Sequence, residues 1–244
     1  MIADNDIAML FKIAPQLRKH FKGYCSSPEV IMLFVYHKCR FSLSYRELEE
    51  LAHMRGGFID HSTLARWVVR FAPLMAQQVS KRKKPVSGSW RMDETYIKVQ
   101  GEWMHLYRAV DSKGQTIDFL LQKQRNKAAA RSFFLKSFTT NSRPSKINID
   151  KSGSNLAALK SVNHTLIEAK KIEITQSRYL NNRVEQDHRF IKKRTRPMLG
   201  FKSFYCAQMT ICGIEHIRII QKRQILGADK GVYVFDNYST LMSA

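Results

Sequence analysis

The hydrophobic period of this chain changes once, and that change decides what it can fold into. Before about residue 80, apolar side chains recur at helical spacing, as in Leu64, Trp67, Val68 and Phe71 at i, i+3, i+4 and i+7. From Trp90 onwards the period is two, through Trp90–Val99, Trp103–Asp111 and Thr116–Lys123, which read as three short strands. Gln100-Gly101-Glu102 and Ser112-Lys113-Gly114-Gln115 have the composition of hairpin turns between them. The junction, residues 81–89, reads Lys-Arg-Lys-Lys-Pro-Val-Ser-Gly-Ser, an exposed basic linker. A helical region over 1–80 is therefore expected to precede an α/β domain over 90–225, with 226–244 as a C-terminal tail.

Residues 1–26 read as one amphipathic helix, with Ile7, Leu10, Phe11, Ala14 and Leu17 on a common stripe. Ser27-Pro28-Glu29 is a helix start, and the apolar run behind it should be buried nearly all round. Ser44 and Glu47 have capping-box spacing, Gly56-Gly57 breaks the helix they open, and Pro73 is expected to close the next one. This pair, over about 44–72, resembles a helix-turn-helix with residues 62–72 as its recognition helix. Trp67 and Phe71 would face the core, leaving Thr63, Arg66 and Arg70 outward as the DNA-contacting residues.

Charge says what such a surface would meet. Lys and Arg number 41 against 20 Asp and Glu, a formal net charge of +21. A surplus of that size repels itself, and a polyanion relieves it best, so nucleic acid is the expected partner. The longest apolar run, Val30–Tyr36, is seven residues, against the roughly 20 needed to span a bilayer. The acidic N-terminus lacks the basic region of a signal peptide, and a cytoplasmic, nucleoid-associated bacterial protein without membrane attachment is expected. Cys25, Cys39, Cys206 and Cys212 contain no Cys-x-x-Cys pair, so reduced structural thiols are expected rather than a zinc or redox site.

Beyond the three strands, Asn126–Phe138 reads as a helix, Lys146–Ile149 as a fourth strand, Ser154–Val162 as a helix and Ile172–Thr175 as a fifth strand. Helices over Asn181–Arg196 and Ser203–Gln221 complete a mixed five-stranded sheet with helices on its faces. Two acids stand where a sheet presents chemistry. Asp93 lies inside the first strand, sharing a face with Arg91 and Thr95 while Glu94 shares the other with Met92. Asp150 ends the fourth strand, the edge at which open α/β sheets build their sites. Glu185, Arg189, Lys192 and Arg196 share one face of the helix before Pro197. Taken alone, Glu185 would close a capping box begun by Asn182, and Asp150 would cap a turn. Clustered carboxylates without His or Cys spacing favour a hard cation, Mg²⁺ or Mn²⁺, and in a basic protein that combination suggests phosphodiester chemistry with two ions.

The residues from Gly88 to Val99, Leu106-Tyr107-Arg108-Ala109-Val110-Asp111 and Asn181-Asn182-Arg183-Val184-Glu185-Gln186-Asp187-His188 resemble a DDE transposase of the insertion-sequence-six family. The likeness extends to Leu43–Leu48 and Asp60–Thr63, and 34 residues separate Asp150 from Glu185, the interval that family shows. The resemblance implies a ribonuclease H-like catalytic domain in which Asp93, Asp150 and Glu185 are the catalytic, metal-binding triad. It places a basic residue seven positions after the Glu, where Lys192 stands. It implies water attack followed by strand transfer at terminal inverted repeats, a replicative, cointegrate-forming route, and a dimer or larger assembly on DNA. Lys192 and Arg189 would hold phosphate. After Asp150-Lys151 this chain departs from many relatives in carrying Ser-Gly-Ser-Asn, so no role is carried over to Ser152 or Asn155. The rival expectation is a helix-turn-helix DNA-binding regulator whose second domain is non-catalytic.

Overall fold

The computed structural model describes residues 11–151, 153–177, 179–228, 231 and 233–244. The chain forms two compact units: residues up to Lys83 with 193–199 and 203–244, and residues 84–192 with 200–202.

The first unit is helical. In place of a single helix over residues 1–26, the described part has a short turn of helix, Pro15–Arg18, continued by the 3₁₀ turn Lys19–Phe21. The stretch stops short because Lys22 turns extended and Gly23 takes a φ of +86°. The first ten positions of that expected helix lie outside the described residues. Helix α1, Pro28–Arg40, starts where Ser27-Pro28 requires, with Val30 N–H donating to Ser27 Oγ at 3.4 Å, and nearly every side chain of its apolar run is buried.

Helices α2, Tyr45–His53, and α3, His61–Lys81, form the expected pair. The Ser44–Glu47 capping box is present, and Asp60 caps α3 by accepting from Ser62 N–H at 2.7 Å. Pro73 does not end α3, which runs eight residues further, to Lys81. An interior proline costs about 3 kcal/mol. Beyond it Leu74, Met75, Ala76 and Val79 are buried, and each large apolar side chain so placed returns roughly 1.5–3 kcal/mol.

The sequence-based boundary at 225 also shifts. Helix α7, Phe204–Gln221, belongs to the helical unit rather than to the α/β domain, and the presumed tail carries a further helix, α8, Val234–Ser243. The reason is packing: Ile211, Ile214, Ile217 and Ile220 are buried, and Gly213 lets α7 close on α1 and α3. A Cβ at Gly213 would collide with Cys39 Sγ and come within 3.0 Å of Ala72 Cβ. All four cysteines are free thiols, and no helix among the described residues is long and apolar enough to cross a membrane.

The second unit is a mixed five-stranded sheet of ribonuclease H-like type, in the order β3-β2-β1-β4-β5. Strands β1, Ser89–Val99, β2, Glu102–Asp111, and β3, Thr116–Gln122, form an antiparallel meander. Strands β4, Lys146–Ile149, and β5, Glu173–Gln176, run parallel to β1, joined through helices α4, Lys127–Thr140, and α5, Gly153–His164. Trp90, Met92, Tyr107 and Ala109 share a face and pack with Phe133 and Phe134 of α4 and with Ala158 and Leu159 of α5. In β1 the buried set then changes parity, from Trp90 and Met92 to Thr95, Ile97 and Val99, without any slip in its pairing with β2. Asp93 and Glu94 sit at that crossover. Helix α6, Asn182–Thr195, follows the 3₁₀ turn Tyr179–Asn181, so Asn182 is its first residue rather than its cap.

Candidate active site

Strand β4 stops pairing with β1 at Asn148 opposite Arg91, which leaves the β4-side edge of β1 open just where the acids begin. Asn181 fills part of that edge, its Nδ2 donating to Met92 C=O at 3.4 Å while its Oδ1 accepts from Asn148 Nδ2 at 2.7 Å. Because side chains alternate, Asp93 points to the face of its cross-strand partner Arg108, and Glu94 to the face of Tyr107.

Asp93 is the hub. Its carboxylate oxygens lie within 4.8 Å of ligand-type atoms of two overlapping groups, Glu94 with Asp150 and Glu185 with His188. Burial pushes its carboxyl up to about 7, and the negative charges of Glu94, Asp150 and Glu185 add to that, against one Glu94 N–H donated to Oδ1 at 2.8 Å. Such a group holds a proton near neutrality unless a cation compensates it.

Asp150 leaves the end of β4. Its Oδ1 accepts from Asn155 Nδ2 at 3.1 Å and its Oδ2 from Arg125 Nη2 at 3.2 Å. Arg125 also pairs with Glu94, Nε to Oε1 at 3.4 Å. Burial raises the Glu94 carboxyl, and the charge of Arg125 opposes it. Glu185 comes from α6, where its Oε2 meets His188 Nδ1 at 3.3 Å. Burial, then the charge of Arg108, lowers His188 to about 4. The imidazole is therefore neutral; with Nδ1–H donating to Glu185, Nε2 is an acceptor, and it is buried without a hydrogen-bond partner.

The helix carrying Glu185 is tied to the sheet by a buried ion pair between Asp187 and Arg108, and Arg108 Nη2 also donates to Thr116 Oγ1 at 3.3 Å. In the sequence Asp187 stands only as part of the motif around Glu185, with no role of its own. An arginine flanked by Tyr107, Ala109 and Val110 inside a strand was the available signal that a buried partner had to exist. Nothing in the Gln-Arg-Asn turn pointed to Arg125.

The structure thus brings Asp150 and Glu185 together around Asp93. Arg189 is exposed and Lys192 half-buried on the same helix as Glu185. Arg66 and Arg70 are exposed on α3 in the other unit, with Arg66 Nη2 donating to Thr63 Oγ1 at 2.8 Å.

Residues 87–224 match a DDE domain family of IS240-type transposases, and residues 23–142 match the Transposase IS66 family. The transposase for insertion sequence-like element IS431mec of Staphylococcus aureus is 39% identical over 208 residues, covering 84% of this chain and 89% of that protein. The chain belongs to the DDE transposases of the insertion-sequence-six family. A second relative, the transposase for insertion sequence element IS257 in transposon Tn4003 of Staphylococcus aureus, is likewise 39% identical over 208 residues. Among solved structures, this DDE chain is similar to the HTLV-2 integrase catalytic core domain in complex with magnesium, at 16% identity and a TM-score of 0.43 over 64% of this chain and 99% of that one. The catalytic core domain of BIV integrase follows at 17% identity and a TM-score of 0.41, over 62% and 93% of the two chains.

Proposed function

We propose that this DDE transposase moves an insertion sequence by hydrolysis and strand transfer at terminal inverted repeats, with Asp93, Asp150 and Glu185 as its catalytic carboxylates. The observation that carries the reading is the meeting of Asp150 and Glu185 at Asp93, from three separate elements. The donor set fits a hard divalent cation: Asp150 and Glu185 each lie close to Asp93, whose carboxyl is held near 7 by burial and by the neighbouring negative charges. Asp93, Asp150 and Glu185 would be the residues that hold divalent cations, Mg²⁺ or Mn²⁺, there. Ions bound there supply activation of the attacking oxygen and stabilisation of the leaving one.

The remaining work belongs to the chain's own residues. Water opens the phosphodiester at the element's end, leaving a 3′-OH on the element and a 5′-phosphate on the flanking strand. That 3′-OH then attacks a phosphodiester of target DNA, joining to its phosphorus as the target's own 3′-oxygen leaves, and no covalent enzyme–DNA intermediate forms. Arg189 and Lys192 hold phosphate beside the carboxylates. His188 orients Glu185, and the Asp187–Arg108 pair fixes the helix that carries both. Thr63, Arg66 and Arg70 on α3 read the terminal repeat. Two ends must be joined, so a dimer or larger assembly acts, and cutting one strand per end leads to the replicative product.

A strand-transfer assay with labelled element ends and Mg²⁺ tests this. Asp93→Asn, Asp150→Asn and Glu185→Gln should each lose strand transfer while retaining end binding. Survival of transfer in any of them removes that residue from the triad. Loss of end binding instead makes the acids structural and favours a DNA-binding regulator.

A further inference from the structure

Arg125 stands inside the carboxylate cluster yet belongs to none of the roles assigned above. It occupies the short connection between β3 and α4, one residue before Asn126, whose Oδ1 caps α4 by accepting from Ala129 N–H at 2.9 Å. That cap fixes the backbone from which the guanidinium reaches. Its fork spans two acids: Nε and Nη2 face Glu94 Oε1 and Oε2 at 3.4 and 3.5 Å, and Nη2 also meets Asp150 Oδ2 at 3.2 Å. The two ends differ in exposure. The Glu94 side chain is 4% exposed, whereas Asp150 and Arg125 are 33% and 35% exposed. Glu94 is therefore the anchor and Asp150 the releasable end.

We propose that Arg125 is a built-in counter-ion that occupies Asp150 until a divalent cation displaces it, and that the freed guanidinium takes a DNA phosphate. The inference rests on the reading of Asp93, Asp150 and Glu185 as the cation site. A dication on Asp150 and a guanidinium on the same carboxylate repel each other and compete for the same oxygen. The planar fork suits a phosphate as well as it suits two carboxylates. Release of Asp150 with retention on Glu94 leaves Arg125 beside the reacting phosphodiester. Cation and DNA then each favour the binding of the other, because both favour the displaced arginine and such coupling is reciprocal. The acids of a chain without DNA are thereby kept neutralised.

Mn²⁺ titration of the full chain, read by calorimetry or by the paramagnetic resonance of free Mn²⁺, tests the proposal without any activity assay. Arg125→Gln should bind Mn²⁺ roughly tenfold more tightly than the parent in the absence of DNA. A random-sequence duplex at low salt should tighten Mn²⁺ binding by the parent, and that gain should shrink in Arg125→Gln. Arg125→Lys keeps the charge but loses the two-carboxylate fork and should fall between them; circular dichroism in EDTA confirms that each variant is folded. Unchanged or weaker Mn²⁺ binding in Arg125→Gln, or parental binding in Arg125→Lys, overturns the proposal. Asp150→Asn separates the two readings. If it abolishes Mn²⁺ binding while Arg125→Gln gives no gain, only the counter-ion role fails; if it leaves binding intact, the cation-site reading itself fails.

Discussion

A half-buried carboxyl and a buried imidazole at the site answer to pH in opposite directions. The folded Asp93 carboxyl titrates at about 7, above the ordinary value near 3.9. Its contribution to stability is therefore fully present below about pH 3.9 and is lost as pH rises through 7. His188 is lowered to about 4, so its contribution is present above about pH 6.5 and is lost as pH falls through 4. In EDTA the parent should lose stability relative to Asp93→Asn as pH rises from 4 to 8, followed by thermal unfolding. Mn²⁺ should restore more of it at pH 8 than at pH 5, because only the ionised carboxylate binds the ion. Parallel pH profiles for parent and variant would show that Asp93 feels no such crowding. The Asp187–Arg108 pair permits a second test at this scale. With side chains 3% and 0% exposed, Asp187→Asn strands a buried guanidinium and should cost about 3–5 kcal/mol in urea unfolding. The double variant Asp187→Asn/Arg108→Met should recover much of that loss. A loss under about 1 kcal/mol would mean the pair is open to water.

At the scale of elements, local signals and long-range packing divided the chain between them. Period-two alternation and Gly-containing turns placed β1, β2 and β3, because a strand's faces and a hairpin's turn are written in neighbouring residues. The candidate acids were picked out differently: Asp93 stands in β1 and Asp150 just past β4, but Asp150 and Glu185 read alone as capping residues, and only the interval in the family resemblance joined them to Asp93. Arg125 was not legible, since its partners Glu94 and Asp150 are 31 and 25 residues away and only the folded sheet brings them to it. Pro73 and α7 failed likewise. Local propensity ends a helix at proline, but tertiary burial beyond it carries α3 on, and nothing near α7 states that its partners are α1 and α3. That packing depends on Gly213. On propensity alone Gly213→Ala would gain up to ~1 kcal/mol, yet its Cβ meets Cys39 Sγ and Ala72. Net destabilisation of roughly 1–3 kcal/mol is expected, larger for Gly213→Val, measured by thermal unfolding. Stabilisation by alanine would mean that α7 can move off α1 and α3 at little cost.

For the whole molecule, the division into two compact units would, on the proposed function, put the reading of DNA ends and the chemistry in different units. Arg66 and Arg70 lie in the helical unit and the carboxylates in the α/β unit, so a change in one should leave the other's binding function intact. The surplus of +21 supplies a large sequence-independent term that grows as salt is lowered. At low salt this term hides discrimination, because random DNA gains as much from phosphate contacts as the terminal repeat does. The comparison therefore belongs at moderate salt, with terminal-repeat and random duplexes measured side by side. Losing a phosphate contact would lower the salt slope by about 0.9 for each arginine and weaken both duplexes alike. Losing a base contact would weaken the terminal repeat alone, by roughly 1–3 kcal/mol. Arg66→Ala with Arg70→Ala is expected to show the second pattern, since both side chains are exposed on the helix that follows the capped turn at Asp60. Mn²⁺ binding by the double variant should match the parent. Equal loss for both duplexes would make α3 a phosphate-holding face and move the reading of the element's end elsewhere on the chain.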